Sequence, residues 1–259
     1  MTYLFDHAWK HEAERLAAIE WSLDGYTVSC LTTIGVAAGW HCLEIGAGAG
    51  SIAAWLASKV GDTGRVVATD IDIALLSKLQ GANLDVRRHD ITCDPLVEQF
   101  DLVHVRKVLE HLPGPDRLVA RIKAAVKPGG WLLIEDADLV SLRHVRTTEP
   151  DLFHRGYDAF VGYMVDHGYH ADLGLHLADL LRATGFEDVK VRGWTSEWTG
   201  HGPSPSVFLR TFQKIRDAVI KEGRLDERAA DAFLGLIQEQ DFKAITAVHF
   251  AAWGRRPDA

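Results

Sequence analysis

The sequence predicts an α/β fold, a doubly wound seven-stranded sheet that is mostly parallel and whose last strand is antiparallel. Apolar runs alternate with helical patterns between residues 41 and 136. Continuous apolar strands separated by helices are typical of a parallel sheet with helices on both faces. The first run ends in a glycine-rich turn, Gly46-Ala47-Gly48-Ala49-Gly50, and the second ends in an acid, Asp70.

The alternating region supplies most of the predicted sheet. Its strands are predicted over 41–46, 65–70, 84–89, 100–106 and 130–136, and its helices over 51–59, 72–80, 94–98 and 115–126. The segment Lys127-Pro128-Gly129-Gly130 ends the last helix, because proline cannot continue a helix and glycine permits a reversal of the chain.

Helical segments flank this region on both sides. The apolar pattern predicts helices over 4–23, 27–38, 150–167, 172–184, 206–222 and 227–239, and strands over 187–194 and 243–253. We therefore expect an N-terminal helical cap over 1–38 and a main domain over 39–259. The main domain would carry a helical lid insertion at about 141–178. The aromatic content of the cap and lid favours an apolar or aromatic ligand.

Composition restricts the partners of the chain. The net charge of −8 argues against a nucleic-acid backbone as the main partner. No apolar run approaches about 18 residues, so no membrane-spanning helix is expected. The first residues lack a secretion signal, and three widely spaced cysteines predict no disulfide framework, so we expect a cytoplasmic protein.

The glycine turn and Asp70 together predict a pocket for an adenosine-containing cofactor. Glycines let the backbone approach a ligand closely, and a carboxylate can accept hydrogen bonds from both ribose hydroxyls. The fingerprint of NAD-binding proteins places glycine at the sixth position of G-x-G-x-x-G, where this chain has Ser51. An acid, Glu44, also precedes the turn, which that fingerprint does not require.

The ends of the later strands favour another cofactor. The third strand is followed by Asp90-Ile91, the fourth by Leu109-Glu110-His111-Leu112, and the fifth ends in Glu135-Asp136. This series resembles the class I S-adenosylmethionine-dependent methyltransferases. It is most similar to the small-molecule branch that includes ubiquinone, menaquinone and secondary-metabolite methylation. The resemblance covers about residues 35–140.

The resemblance implies which residues hold S-adenosylmethionine. They are Glu44, Gly46, Gly48, Ala49, Asp70, Ile71, Asp90, Ile91, Val105 and Arg106. The glycine turn would line the methionine portion, Asp70 would hold the ribose, Ile71 would pack on the adenine, and Asp90 would face its amino group. Arg106 departs from the small or neutral residue that many relatives have, and would bind the cofactor carboxylate or a substrate acid.

Candidate general bases are the acids and histidines that can reach the carboxyl ends of the strands. They are Glu135, Asp136, His144 and His170, with Tyr157 and His167 on the predicted lid. His111 is interpreted as a packed histidine rather than a catalytic one. No metal is expected, because the acid after strand four and the asparagine that a magnesium-dependent catechol methyltransferase would need are not evident.

The predicted function is methyl transfer to an O, N or C atom of a small, apolar or aromatic metabolite. Two alternatives keep the cofactor. One is an enzyme that uses the sulfonium charge for cyclisation or rearrangement, and the other is a non-catalytic binding protein. An NAD-dependent dehydrogenase is a further alternative, which Ser51 disfavours. The helices over 206–239 could form the face of a homodimer or pack on the sheet.

Overall fold

The computed structural model describes residues 11–142, 145–200 and 205–258. The first ten residues, and with them the start of the predicted helix over 4–23, lie outside this range, as does His144.

The described residues form seven α-helices and ten strands. The helices are α1 (Glu12–Ile34), α2 (Ser51–Val60), α3 (Pro115–Ala125), α4 (Pro150–Asp166), α5 (Leu173–Ala183), α6 (Pro205–Lys221) and α7 (Glu227–Leu236). The strands are β1 (His41–Ile45), β2 (Arg65–Asp70), β3 (Leu84–Arg88), β4 (Phe100–Arg106), β5 (Val126–Asp138), β6 (Val145–Arg146), β7 (Glu187–Trp194), β8 (Glu197–Thr199), β9 (Lys243–Ile245) and β10 (Val248–Arg255).

Seven of these described strands form one twisted sheet in the order β3-β2-β1-β4-β5-β10-β7. The pairs among β1 to β5 are parallel, whereas β10 runs antiparallel to both of its neighbours. The predicted fold class is thereby confirmed. The predicted last strand is divided in two: β10 joins the main sheet, and β9 pairs with β6 and β8 in a small second sheet that the sequence did not predict.

Two predicted helices are wrong. The segment 72–80 forms only a single 3-10 turn, Leu76–Lys78, and 94–98 forms no helix. The second segment is held instead by local polar contacts, because Asp94 Oδ2 accepts a hydrogen bond from the backbone N–H of Asp90 at 2.8 Å. A segment of five residues forms too few helical hydrogen bonds to offset the free-energy cost of starting a helix.

The N-terminal region also differs from the prediction, because one helix, α1, replaces the two expected helices. It continues through Asp24 and Gly25, where the sequence predicts a break. The Arg106 guanidinium donates to Asp24 Oδ1 and to Thr27 Oγ1, at 2.9 Å each. These contacts with the sheet outweigh the low helix propensity of glycine.

A helical layer packs on the carboxyl-end side of the sheet. It consists of α4, α6, α7 and the small sheet, and its core is a cluster of aromatic rings that includes Phe153, Phe212 and Phe233. A Cβ on Gly156 would lie 2.3 Å from Phe233 Cγ, so glycine permits the close approach of α4 and α7. The helix α5, which the predicted lid included in part, packs instead in the core of the main sheet.

The helices over 206–239 are thus part of this covering layer. Phe208 and Phe212 of α6 stack on one another and contact α4 and α7. None of the helices in the described ranges combines the length and the apolar character that crossing a membrane requires.

Candidate functional site

The turn after β1 has a backbone path that requires glycine. Gly46, Gly48 and Gly50 have φ values of 71°, 59° and 92°, in the left-handed region. A Cβ on Gly46 would lie 2.2 Å from Val108 Cγ2, and one on Gly50 would lie 2.2 Å from Leu79 Cδ1. The turn therefore brings its backbone against the neighbouring loops.

Asp70 connects the glycine turn to the end of β2. Its carboxylate accepts the backbone N–H of Gly48 at 2.9 Å and that of Asp72 at 3.1 Å. The residue is only 8% exposed, but it lines a cavity beside the turn. The carboxylate thus both orders the turn and faces the space in front of it.

We call this space the glycine cavity. It is bounded by the glycine turn, the ends of β2 and β3, the segment after β4 and the first half of α1. Every residue predicted to bind the cofactor lines it except Glu44 and Val105. Asp90 stands at its β3 side, where hydrogen bonds from Thr92 hold the pKa of its carboxyl below the ordinary value.

Glu44 and Val105 do not line the glycine cavity, because both lie within the sheet and are buried there. Val105 is fully buried in the core between the sheet and α3. Glu44 points to the α1 face, where its Oε1 lies 3.6 Å from Nδ1 of the buried His104.

Glu135 belongs to the same buried row and does not contact either of the cavities described here. Its Oε1 lies 3.2 Å from His104 Nε2, and its Oε2 accepts a hydrogen bond from Thr27 Oγ1 at 3.0 Å. Burial alone would lower the pKa of His104, but the glutamates on both sides raise it. The carboxylate of Glu135 therefore joins α1 to the sheet, and its role as a catalytic base stays a prediction.

A second space, the aromatic cavity, lies between α1, the end of β5 and the covering layer. Its walls include Tyr157 and Phe160 of α4, Phe208 of α6, and Trp194 and Trp198 of the β7–β8 region. The Tyr157 hydroxyl donates to the Leu139 carbonyl at 2.6 Å, which anchors α4 over the end of β5.

The two cavities share four lining residues, Arg15, Ile19, Lys107 and His111. Arg15 and Ile19 come from α1, and the other two follow β4. Lys107 adopts a left-handed conformation with φ of 58°, which directs the chain away from the sheet. Its N–H donates to the Glu135 carbonyl at 2.8 Å. The cavities therefore meet at the carboxyl end of β4.

Glu110 and His111 bring titratable groups to this junction. Lys107 Nζ pairs with Glu110 Oε1, which lies 3.5 Å from His111 Nε2. Burial opposes the ionisation of Glu110, but Lys107 keeps its pKa below the ordinary value. Burial, assisted by Lys107 and Arg15, lowers the pKa of His111 to about 4 although Glu110 opposes this shift. A neutral imidazole next to a carboxylate can accept a proton.

Comparison with known proteins agrees with this geometry. A family model for methyltransferase domains matches residues 7–191. The chain belongs to this methyltransferase family. Methyltransferase str2 of Strobilurus tenacellus is 35% identical over 133 residues, which cover 49% of this chain and 46% of that protein. The ubiquinone biosynthesis O-methyltransferase of Paracidovorax citrulli is 33% identical over 100 residues, 36% of this chain and 42% of that protein. The chain thus matches less than half the length of these relatives.

Solved structures share the fold. Phosphoethanolamine N-methyltransferase 2 of Haemonchus contortus, bound to phosphomonomethylethanolamine and S-adenosylhomocysteine, has a TM-score of 0.59 and 20% identity over 97% of this chain and 59% of that chain. YcgJ protein of Bacillus subtilis has a TM-score of 0.59 and 15% identity over 89% of this chain and 97% of that chain.

The remaining predicted bases lie away from the two cavities. Asp136 is buried beneath Glu110, and neither carboxyl oxygen has a hydrogen-bond partner. Burial and the neighbouring Glu110 charge raise its pKa well above the ordinary value. His170 bonds to the Leu112 carbonyl at 3.0 Å, and His167 to the Tyr163 carbonyl at 2.8 Å. None of these three residues lines either cavity, and their role as bases stays a prediction.

The residues after β4 were not among the predicted catalytic residues. The motif Leu109-Glu110-His111-Leu112 follows the strand directly, and this position in a parallel sheet is where ligands bind. His111 does pack, with its ring 4.9 Å from that of Tyr169, as the sequence analysis expected. It also lines both cavities, which its neighbours in the sequence did not indicate. The sequence around Arg15 does not indicate a role in the site, because only the tertiary fold brings α1 to the carboxyl ends of the strands.

Proposed function

We propose that this protein transfers a methyl group from S-adenosylmethionine to an O, N or C atom of a small, apolar or aromatic molecule. The observation that supports this function best is the junction of the two cavities at Arg15, Ile19, Lys107 and His111. One cavity has polar groups suited to an adenosine, and the other has apolar walls. Two ligands in these cavities would meet at the end of β4.

The residues of the glycine cavity fit the proposed cofactor. The Asp70 carboxylate suits the two ribose hydroxyls, and Asp90 suits the adenine amino group. Ile71 and Ile91 offer apolar surface for a flat base. Arg15 stands at the other end, where Glu12 accepts two hydrogen bonds from its guanidinium, at 2.6 and 3.1 Å. Arg106 is committed to Asp24 and Thr27, so we assign it to holding α1 in place. When bound, the cofactor supplies a methyl group on a positively charged sulfur.

His111 is the group of this chain that we assign to proton removal when the substrate atom carries a proton. The ring is neutral at physiological pH because its pKa is about 4. The substrate proton would pass to the imidazole as the new bond forms, and Glu110 would then stabilise the imidazolium at 3.5 Å. A positioned base contributes about 10²–10⁴-fold in rate, and we place His111 at the lower end because its lowered pKa makes it a weaker base.

The aromatic walls provide the second contribution, because they hold the substrate and exclude water. α1 closes the junction on one side, and the covering layer closes the aromatic cavity on the other. In our proposal, α1 is the cap and the covering layer is the lid. Restricting two reactants in this way can lower a barrier by roughly 7–11 kcal/mol in the most favourable intramolecular models.

The test is S-adenosylhomocysteine release from S-adenosylmethionine and a panel of phenols, amines and carbon nucleophiles, with wild type and His111→Gln. We expect kcat for a phenol to fall about 10²-fold or more in His111→Gln, with cofactor affinity within about threefold. His176→Gln changes an exposed histidine of α5 and should behave like wild type. The wild-type rate should persist on acidification to about pH 5, well below the ordinary histidine pKa.

Two results would contradict the proposal. If the wild-type protein does not bind S-adenosylmethionine, the proposed function is refuted altogether. If His111→Gln retains full activity, the proton-transfer role of His111 is refuted. Consumption of an acceptor without stoichiometric S-adenosylhomocysteine would favour cyclisation or rearrangement instead.

A further inference from the structure

The aromatic cavity has charged groups at only one of its ends. Among its described lining residues, the charged side chains are Arg15, Lys107 and Glu110. Arg15 and Lys107 also line the glycine cavity, and Glu110 is paired with Lys107. The part of the cavity remote from the junction is bounded by apolar side chains and by neutral polar groups. A ligand body in that part is therefore uncharged.

Trp198 is a deeply buried polar residue among the cavity residues that the glycine cavity does not share. It lies on β8, is 2% exposed, and its ring centroid is 5.1 Å from those of Phe208 and Phe242. Its indole Nε1 is buried and has no hydrogen-bond partner. Buried tryptophan N–H groups usually have one, and an unmade hydrogen bond at a buried donor is costly.

Two other neutral groups of the same cavity are also unpaired. They are Ser22 Oγ on α1 and His249 Nδ1 on β10. Three unpaired polar atoms from three separate elements thus surround one cavity whose walls are otherwise mainly aromatic and aliphatic. The Trp198 N–H can only donate, so its partner on a ligand must be an acceptor.

We propose that the methyl-accepting substrate is an uncharged, ring-based molecule with a carbonyl or ether oxygen remote from the methylated atom, and that this oxygen accepts a hydrogen bond from Trp198 Nε1. This inference rests on the proposed function for its orientation, since the atom to be methylated lies at the junction. The aromatic walls select the ring, and the indole N–H selects the oxygen.

The test compares two phenols of matched shape. One is 4-(4-hydroxyphenyl)butan-2-one, which has a ketone remote from its hydroxyl, and the other is 4-butylphenol, which lacks that oxygen. Binding of each is measured by calorimetry, with and without S-adenosylhomocysteine, to wild type, Trp198→Phe and Trp40→Phe. Trp40 packs in the core beneath α2, outside both cavities, and provides the matched loss of an indole.

We expect wild type and Trp40→Phe to prefer the ketone by about tenfold, the value of one net hydrogen bond. Trp198→Phe should bind both phenols with similar affinity. Equal affinities in wild type, an unchanged preference in Trp198→Phe, or no binding of either phenol would overturn the inference. Binding with the expected preference, but no S-adenosylhomocysteine formed from S-adenosylmethionine, would refute the proposed function and leave this inference standing.

Discussion

Replacing Asp70 by alanine is the sharpest perturbation of the glycine cavity. The carboxylate accepts two backbone N–H groups, from Gly48 and Asp72, and faces the cavity where we place the ribose. Each carboxylate oxygen can accept more than one hydrogen bond, so ordering the turn does not prevent Asp70 from accepting ribose hydroxyls. The alanine variant would lose the ribose contacts and weaken the turn that presents the backbone.

The size of the effect follows from the charge of the carboxylate. A hydrogen bond to a charged group contributes about 1.5–3 kcal/mol, so two such bonds correspond to roughly 3–6 kcal/mol. This loss raises the Kd for S-adenosylmethionine by about 10²–10⁴-fold. Asp70→Asn retains one acceptor oxygen for the turn but has no charge. It should therefore unfold close to the wild-type temperature and still bind the cofactor weakly.

Calorimetric titration with S-adenosylmethionine measures the change directly, and thermal unfolding without ligand reports the integrity of the turn. Asp72→Ala is the matched control, because this neighbouring acid caps the Ala74 N–H at 2.9 Å and does not line the cavity. Its Kd should remain within about threefold of wild type. If Asp70→Ala and Asp72→Ala bind equally well, the ribose role of Asp70 is refuted.

Two further predictions concern stability. Gly46→Ala places a Cβ 2.2 Å from Val108 Cγ2 at a φ of 71°, so urea unfolding should show a loss of about 1–3 kcal/mol, and an unchanged midpoint would argue against a strained turn. Burial lowers the pKa of His249 to about 3 in the folded protein. Below about pH 6.5 the unfolded chain therefore binds a proton at this residue that the folded protein does not bind, and the free energy of unfolding falls as the pH decreases toward 3. Between pH 6.5 and 4 the wild type should lose about 1 kcal/mol per pH unit more than His249→Asn, and parallel curves would contradict the shift.

The fold and the glycine cavity could be predicted because their signals are local. The glycine turn lies directly after β1 and Asp70 ends β2, and parallel pairing of these strands brings both to one sheet edge. The path of α1 could not be predicted in the same way. Gly25 weakens a helix in isolation, and contacts with the sheet maintain it, among them those of Asp24 and Thr27 with Arg106.

The choice among acids and histidines required the tertiary structure. Glu135 and Asp136 are neighbours on β5 and therefore face opposite sides of the sheet. What covers each side is decided by distant segments: α1 pairs with Glu135 through Thr27, and Glu110 covers Asp136. Distant segments thus cover both acids, and the local sequence pattern around Glu135 and Asp136 does not indicate which segments these are.

Local periodicity and the residues at strand ends thus predicted the fold class, the methyltransferase resemblance and most of the residues that line the glycine cavity. The acceptor side depends on segments far apart in the chain, since Arg15 of α1, His111 after β4 and Trp198 of β8 meet only when the covering layer packs over the sheet. Such contacts depend on the relative placement of whole elements. The free energy of burying the apolar faces of these elements against each other determines that placement. It cannot be predicted from the sequence pattern of any one segment.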